Sequence, residues 1–129
     1  IASFLLLAFC NETSSKSGPS GASSATPSAP AVALSPADEA KDLFKNRCAM
    51  CHGPTGAGDG PTAATLNPKP RDFHDKEWQK SISDTRMHDV IVGGGVAIGK
   101  SPLMPPNPDL AKKPAVVDQL VAIVRGYGS

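Results

Sequence analysis

The sequence predicts an all-α domain with long ordered loops. Apolar residues recur at helical spacing in several separate stretches, and no stretch alternates polar and apolar residues over the length of a strand. Glycine and proline residues are concentrated between these stretches, where they mark loops. At 129 residues the chain has room for one domain, and part of that length has a composition unsuited to folding.

Residues 1–10 form a predicted signal-like segment. The apolar run Ile1–Phe9 matches the hydrophobic part of a signal peptide and is shorter than the roughly 20 residues that span a membrane. No charged segment precedes the run, so we expect the sequence to be truncated at its start. The run ends in Leu-Ala-Phe-Cys, which is similar to a bacterial lipobox, although a small residue is usual where Phe9 stands. Cys10 is the predicted lipidation site; the alternative is ordinary signal cleavage, with Cys10 removed or left as a free thiol.

Residues 11–34 form a predicted flexible linker. They are almost entirely Ser, Pro, Ala, Gly and Thr, and such a segment cannot bury enough apolar surface to offset the entropy lost on ordering. Its expected end-to-end reach is about 25 to 30 Å. Residues 35–129 then make up the folded domain, which is small enough to need additional stabilisation.

The overall charge and the aromatic content argue against a nucleic-acid partner. The formal net charge is +1, and aromatic residues make up 5% of the chain. A near-neutral chain has little electrostatic attraction for a phosphate backbone, and few aromatic rings are present on which bases could stack.

The first helix is expected to begin at Ser35. This residue supplies a capping hydroxyl, Pro36 occupies the first helical position, and acidic residues follow in the first turn. Residues at helical spacing then lead toward Cys48, namely Ala40, Leu43, Phe44 and Arg47. The glycines and the proline of the next segment, 53–60, rule out regular structure there.

Three more helices are expected after a proline-spaced, extended segment at 61–73. The first is a short helix at about 75–80, and Ser83 can cap the second, which ends at Gly93–Gly95. The buried face of that second helix is predicted to carry Met87, Val90 and Ile91. After an irregular stretch at 96–113, the last helix begins near Pro114 and ends at Gly126. Its apolar stripe consists of Val117, Leu120, Val121 and Val124.

Cys48-Ala49-Met50-Cys51-His52 is a C-x-x-C-H motif, the attachment sequence for a covalently bound c-type haem. The two thiols would bond to the two vinyl groups of one porphyrin, and His52 would donate a ring nitrogen as the proximal axial ligand. Residues at positions i, i+3 and i+4 share one face of a helix, so a single turn can present all three groups to one flat macrocycle. One haem c is therefore the predicted cofactor, and it gives the small domain an apolar body around which to pack.

Zinc sites and disulfide oxidoreductases also use a C-x-x-C pair. A zinc ribbon needs a second pair of ligands, and the only other cysteine, Cys10, lies in an unsuitable segment. A thioredoxin-like fold needs a βαβ pattern around the motif, and the sequence shows none. Haem attachment is the preferred interpretation.

Met104 is the predicted second axial ligand. It stands between prolines in a loop far enough along the chain to return over the opposite face of the haem. The alternative at this position is a core methionine packed on the porphyrin. Among other candidates, Met87 falls on an apolar helix face, His74 and His88 are more typical of surface or hydrogen-bonding residues, and Met50 points away from the haem face. A neutral thioether favours ferrous iron relative to a second histidine, which raises the reduction potential.

Three further residues are predicted at the cofactor site. The other ring nitrogen of His52 needs an orienting partner, commonly a backbone carbonyl, and the turn at Gly60 and Pro61 is a candidate source. Arg71 and Trp78 can donate to the haem propionates. The alternatives are a solvated charge for Arg71 and a plain core position for Trp78.

With these residues, the chain resembles class I cytochromes c, and more narrowly the small bacterial monohaem domains found as oxidase cytochrome subunits and tethered periplasmic carriers. The resemblance covers about residues 38–127. The matching pieces are, in order, Cys48–Gly53, Gly58–Pro61, Pro68–Phe73, Trp78, Gly93–Gly95 and Ser101–Pro106. It implies a cytochrome c fold of three to five helices around one haem, with the N- and C-terminal helices packed crosswise. It also implies His52 and Met104 as the two iron ligands.

The resemblance further implies one-electron transfer and no enzymatic reaction of the chain's own. The expected partners are redox protein donors and acceptors, with the membrane reached through a lipid on Cys10; neither nucleic acid nor a small-molecule substrate is expected. The expected location is the periplasmic side of a bacterial membrane, lipid-anchored or otherwise soluble in the periplasm. One alternative is a fixed cytochrome subunit of a larger respiratory or dehydrogenase complex. Another is a haem enzyme or gas sensor with an open iron site, which requires that Met104 does not bind the iron.

Overall fold

The computed structural model describes residues 33–129. The signal-like segment 1–10 with Cys10, and all but the last two residues of the predicted linker 11–34, lie outside this range. The described residues contain five α-helical segments joined by loops and short 3₁₀ turns, with no strand among them. The predicted all-α fold is confirmed. Within the same range, no helix is both long enough and apolar enough to cross a membrane.

The first two helical segments form one continuous helix that ends in the C-x-x-C-H motif. Helix α1, Pro36–Leu43, begins as predicted, because the Ser35 hydroxyl accepts a hydrogen bond from the Asp38 amide at 3.1 Å. A π-helical turn at Phe44–Cys48 leads directly into α2, Ala49–His52. Such π-turns inside α-helices occur frequently at functional sites.

Two capped helices follow the extended segment. Helix α3, Lys76–Ser81, begins where the Asp75 carboxylate accepts hydrogen bonds from the amides of Glu77 and Trp78. Helix α4, Asp84–Gly93, is capped by the Ser83 hydroxyl, as the sequence predicts. Both helices therefore begin at residues whose short polar side chains satisfy otherwise unpaired amides.

The last helix, α5, spans Pro114–Tyr127 and packs against both α1 and α4. Its predicted apolar stripe is buried. The helix continues through Gly126 and ends one residue beyond the predicted stop. The reason is that Tyr127 is held by tertiary contacts: its ring packs against Phe44, and its hydroxyl donates to the Pro54 carbonyl at 2.9 Å.

The segments predicted as irregular or extended contain short 3₁₀ turns. These are Ala63–Thr65, Gly95–Ile98 and Pro108–Lys112. Each is five residues or shorter, too short to give a periodic apolar pattern in the sequence.

The core lies between α1, α4 and α5. Met87 and Val117 are its most deeply buried large side chains. Met87 therefore occupies the core position that its place on the apolar face of α4 predicts. A group of aromatic rings continues the core toward the C-x-x-C-H motif, consisting of Phe44, Phe73, Trp78 and Tyr127.

Candidate haem site

The reactive groups of the motif line a single cavity. Cys48, Cys51 and His52 all contribute to its wall, as expected for residues on one helix face, and Met104 lies on the same lining. The cavity has a volume of about 320 Å³, is partly open to solvent and is mainly apolar. Concave, largely apolar cavities of this size are typical of cofactor sites.

All the charged side chains in the cavity wall are basic. They are Arg47, Lys69, Arg71 and Lys100. Two of them are paired with carboxylates, Arg47 with Asp109 at 3.1 Å and Arg71 with Asp75 at 3.3 Å. A wall with cationic groups and no acidic ones suits a ligand that combines a large apolar body with carboxylate substituents.

The His52 ring is oriented by a backbone carbonyl, but not by the predicted one. Its Nδ1 lies 3.1 Å from the carbonyl oxygen of Arg71. The expectation that the Gly60–Pro61 turn supplies this carbonyl is wrong. The Gly60 carbonyl already accepts from the Ala63 amide at 2.9 Å, and Pro61 is not part of the cavity wall.

The environment of His52 favours its neutral form. Burial lowers the pKa of His52, and the hydrogen bond to the Arg71 carbonyl offsets this only in part. With its proton on Nδ1 donated to that carbonyl, the neutral ring keeps the lone pair on Nε2 free. This is the protonation state that an iron ligand needs.

Both motif cysteines are half-buried, and neither forms a disulfide. Burial raises the pKa of the Cys48 thiol. The Cys51 sulfur lies 3.2 Å from the Thr62 hydroxyl, which itself donates to the Met50 carbonyl at 2.8 Å. Sequence reasoning missed Thr62, because an isolated threonine in a loop gives no sign that it lies beside a cysteine eleven residues earlier.

Met104 lies in a loop that is fixed by its backbone. Its carbonyl accepts from the Gly95 amide at 3.0 Å, and its own amide donates to the Ser101 carbonyl at 3.3 Å. The other candidates lie elsewhere: Met87 is buried in the core, and neither His74 nor His88 lines the cavity. The His74 ring is engaged by the Asp72 carboxylate at 2.8 Å. Met104 is thus the one candidate for the second ligand that the described structure brings to the cavity of His52.

Arg71 and Trp78 both lie in the cavity wall, as the sequence analysis predicts. The Arg71 guanidinium lies over the Trp78 ring, 5.6 Å from its centroid. This contact holds two hydrogen-bond donors side by side at the wall. Donation to haem propionates stays a prediction for both residues.

The residues of the cavity fit a covalently attached haem. Two thiols at the attachment spacing, a neutral imidazole and a thioether border a space lined mainly by apolar groups. For the zinc alternative, the structure from residue 33 onward contains no cluster of three or more His, Cys, Asp or Glu side chains able to hold a metal ion.

Comparison with known proteins agrees with this chemistry. The sequence model of the family Cytochrome c matches residues 37–125, which is more than half of the chain and includes every residue of the cavity wall. No curated protein matches the chain at a significant level. The chain therefore belongs to the cytochrome c family, whose members hold a covalently attached haem c with its iron and are typically electron carriers.

Proposed function

We propose that this protein carries single electrons between redox proteins through one haem c whose iron is bound by His52 and Met104. The observation that carries the proposal is that Cys48, Cys51, His52 and Met104 line one cavity. A haem bound there supplies reversible one-electron exchange at its iron.

Each of these residues contributes a separate function at the cavity. Cys48 and Cys51 would hold the cofactor through two thioether bonds. His52 presents a neutral Nε2, because its Nδ1 is engaged by the Arg71 carbonyl at 3.1 Å. Met104 would provide the second ligand, and an iron held by two protein ligands would have no open site for a substrate. Two protein ligands therefore favour an electron carrier over a haem enzyme or gas sensor.

The ligand assignment is tested by replacing Met104. Low-spin ferric haem with a methionine sulfur ligand shows a weak charge-transfer band near the red end of the visible spectrum. Met104→Ala is expected to abolish this band, to allow carbon monoxide to bind the reduced protein, and to lower the reduction potential. The measurements are optical spectra of both oxidation states and a redox titration.

Met87→Leu is the matched control, because Met87 is buried in the core, away from the cavity wall. This nearly volume-conserving change should leave the band intact and cost less than about 1.5 kcal/mol of stability. If the band survives loss of Met104, another residue is the ligand. Carbon monoxide binding to the reduced wild-type protein at neutral pH would instead favour an open-site haem enzyme or sensor.

We further propose that a lipid on Cys10 tethers the domain to the periplasmic side of a bacterial membrane. The support is the lipobox-like sequence and the Ser/Pro/Ala/Gly-rich segment that follows it. Such a tether raises the effective concentration of the domain near membrane-bound donors and acceptors, which suits the small, weak interfaces of redox encounters. Cys10→Ser should release a haem-containing protein from membranes, and a mature N-terminus beyond Cys10 would contradict lipidation. Stable co-purification with an oxidoreductase would favour a fixed subunit over a free carrier.

A further inference from the structure

We propose that Phe73 is a positioning residue that fixes the plane of the His52 imidazole, and through it the electronic state of the bound haem iron. The inference deepens the proposed function and rests on His52 as the proximal ligand. In this proposal Phe73 holds the His52 ring in addition to packing in the aromatic core.

The Phe73 ring lies face to face with the His52 ring. The two centroids are 4.5 Å apart, and the ring planes differ by 18°. This distance is at the close end of the range for stacked rings. The same chain segment supplies the Arg71 carbonyl to Nδ1 of His52 at 3.1 Å. Residues 71–73 therefore contact the imidazole both at its edge and on its face.

The two contacts constrain different motions of the imidazole. The final side-chain torsion of histidine has broad, roughly two-fold preferences, so a single hydrogen bond at the edge leaves the ring free to rock about it. The flat Phe73 ring, stacked on the face of the imidazole, opposes that rocking, because a tilt toward Phe73 drives imidazole atoms into the Phe73 ring. Together the two contacts define one imidazole plane.

Phe73 is itself held in place from several directions. Its side chain is buried, its amide donates to the Gly56 carbonyl at 2.8 Å, and its carbonyl accepts from the Gln79 side-chain amide at 2.8 Å. The Trp78 and Tyr127 rings also stack with it, at centroid distances of 5.6 and 6.2 Å. A ring fixed in this way can hold the orientation of a neighbouring ligand.

Gly56 shows how closely the chain approaches this ring. A Cβ atom at Gly56 would lie 2.9 Å from the Phe73 ring and 2.8 Å from that of Tyr127. The backbone at this position also has φ +77°, a conformation that side chains other than glycine rarely adopt. The loop after the motif therefore brings its backbone directly against the ring that stacks on His52.

The plane of an axial imidazole has a measurable electronic consequence. In low-spin ferric haem, π-overlap with the two protein ligands, here the His52 imidazole and the Met104 sulfur, would decide which of two nearly equivalent iron d orbitals holds the unpaired electron. That orbital determines how spin density is distributed over the porphyrin, and hence the order of the haem-methyl proton shifts. With Met104 unchanged, a residue that holds the imidazole plane would therefore influence this order without touching the iron.

The test compares Phe73→Leu with Phe44→Leu in the haem-containing ferric protein, by the haem-methyl proton shifts. Phe44 is the matched control, because it is equally buried and belongs to the same aromatic group, yet its ring contacts are with Phe73 and Tyr127. Phe73→Leu should change the order or compress the spread of the methyl shifts. Phe44→Leu should keep the wild-type order despite a similar loss of stability. Phe73→Tyr, which retains the ring, should restore the wild-type order.

Should Phe73→Leu fail to fold, Phe73→Met is a second variant that lacks the aromatic ring. The same change in the haem-methyl shifts is expected for it. Wild-type order and wild-type spread of the methyl shifts in whichever of these variants folds would overturn the proposal, as would equal changes in the Phe44 and Phe73 variants. Failure of the proposed ligation itself is distinguishable, because the wild-type protein would then lack the spectrum of low-spin, histidine-ligated haem.

Discussion

Gly94 lies directly against the backbone of residues 99–107, here called the distal loop, which carries Met104. Its φ of +74° and ψ of −179° belong to a region that is essentially restricted to glycine. A Cβ atom there would lie 2.7 Å from the Met104 carbonyl oxygen and 2.8 Å from the Pro106 nitrogen. At the scale of single residues, the position of the distal loop therefore depends on the absence of a side chain at 94.

Gly94→Ala is expected to destabilise the protein by more than about 2 kcal/mol, because backbone strain of about 1 to 3 kcal/mol adds to the steric conflict. It should also weaken the methionine charge-transfer band, since the distal loop must shift. Gly99→Ala is the matched control: Gly99 also has positive φ, +69°, but its Cβ would meet nothing within 4 Å. That change should cost only about 1 kcal/mol and leave the band unchanged. The measurements are urea unfolding and optical spectra, and equal effects of the two alanines would contradict the assignment.

At the scale of elements, Arg47 connects the motif-bearing helix to the distal loop. Its guanidinium donates to the Asn107 side-chain oxygen at 3.0 Å and to the Asp109 carboxylate at 3.1 Å. Asn107 in turn donates through its side chain to the Ile91 carbonyl at 2.6 Å, which fixes the end of the distal loop to α4. One arginine next to Cys48 thus joins elements on both sides of the cavity.

Arg47→Met should make the distal loop open more often at only a small cost in global stability. The ion pair is about half-exposed, at 44% and 53%, so its loss should cost up to about 1 kcal/mol. If the full amount of about 1 kcal/mol is lost from the free energy needed to open the distal loop, cyanide should bind ferric iron about fivefold faster. The reason is that cyanide can bind the iron only when Met104 is displaced. The measurement is the cyanide-binding rate beside urea unfolding.

Arg125→Met is the control for global destabilisation. Arg125 donates to the Ile82 carbonyl and the Asp84 carboxylate, both at 2.7 Å and away from the cavity wall. Its loss should cost about 1.5 to 3 kcal/mol, more than the loss of Arg47, with a smaller rise in the cyanide-binding rate. A rate that follows stability across both variants would show that Arg47 has no specific effect on the distal loop.

Helix α5 is connected to the loop after the motif through Tyr127. Burial raises the pKa of the Tyr127 hydroxyl, which donates to the Pro54 carbonyl at 2.9 Å. The folded state therefore favours the protonated phenol. The protonated Tyr127 phenol contributes its full stabilisation below the ordinary tyrosine pKa of about 10. This contribution is lost as the pH rises through the higher pKa that Tyr127 has in the folded state.

Tyr127→Phe should cost about 0.5 to 1.5 kcal/mol at pH 7, the usual net value of a hydrogen bond. The same substitution should reduce the loss of stability above about pH 10, because the titrating group is gone. Urea unfolding of both proteins at pH 7 and across the alkaline range measures both effects. Parallel alkaline losses in the two proteins would assign the pH dependence to other groups.

At the scale of the whole molecule, features set by neighbouring residues could be predicted and long-range contacts could not. The helix starts at Ser35 and Ser83 are local capping events, and the C-x-x-C-H spacing fixes its own helix face. The carbonyl that orients His52 belongs instead to Arg71, 19 residues away. Its position depends on the path of residues 61–73, for which the prolines indicate only a lack of regular structure. The stacking of Phe73 on His52 depends on the same path and was missed for the same reason.

The fold as a whole depends on what fills its cavity. The cavity of about 320 Å³ is lined mainly by apolar groups, which a bound haem would cover. Small domains have a total stability of only about 5 to 15 kcal/mol. The chain without its cofactor is therefore expected to be at or beyond the limit of folding.

Cys51→Ala tests this dependence, since it removes one of the two thiols that attach the haem. We expect at most one thioether bond, incomplete retention of haem, and a largely unfolded domain, because the small core packs around the cofactor. The measurements are haem extraction from the denatured protein with acidified organic solvent, together with helix content by circular dichroism. Thr62→Val serves as the control: it removes the hydroxyl 3.2 Å from the Cys51 sulfur but leaves both thiols, so covalent haem and folding should persist. A haem-free Cys51→Ala chain as helical and heat-stable as wild type would mean that the packing of α1, α4 and α5 is sufficient for the fold.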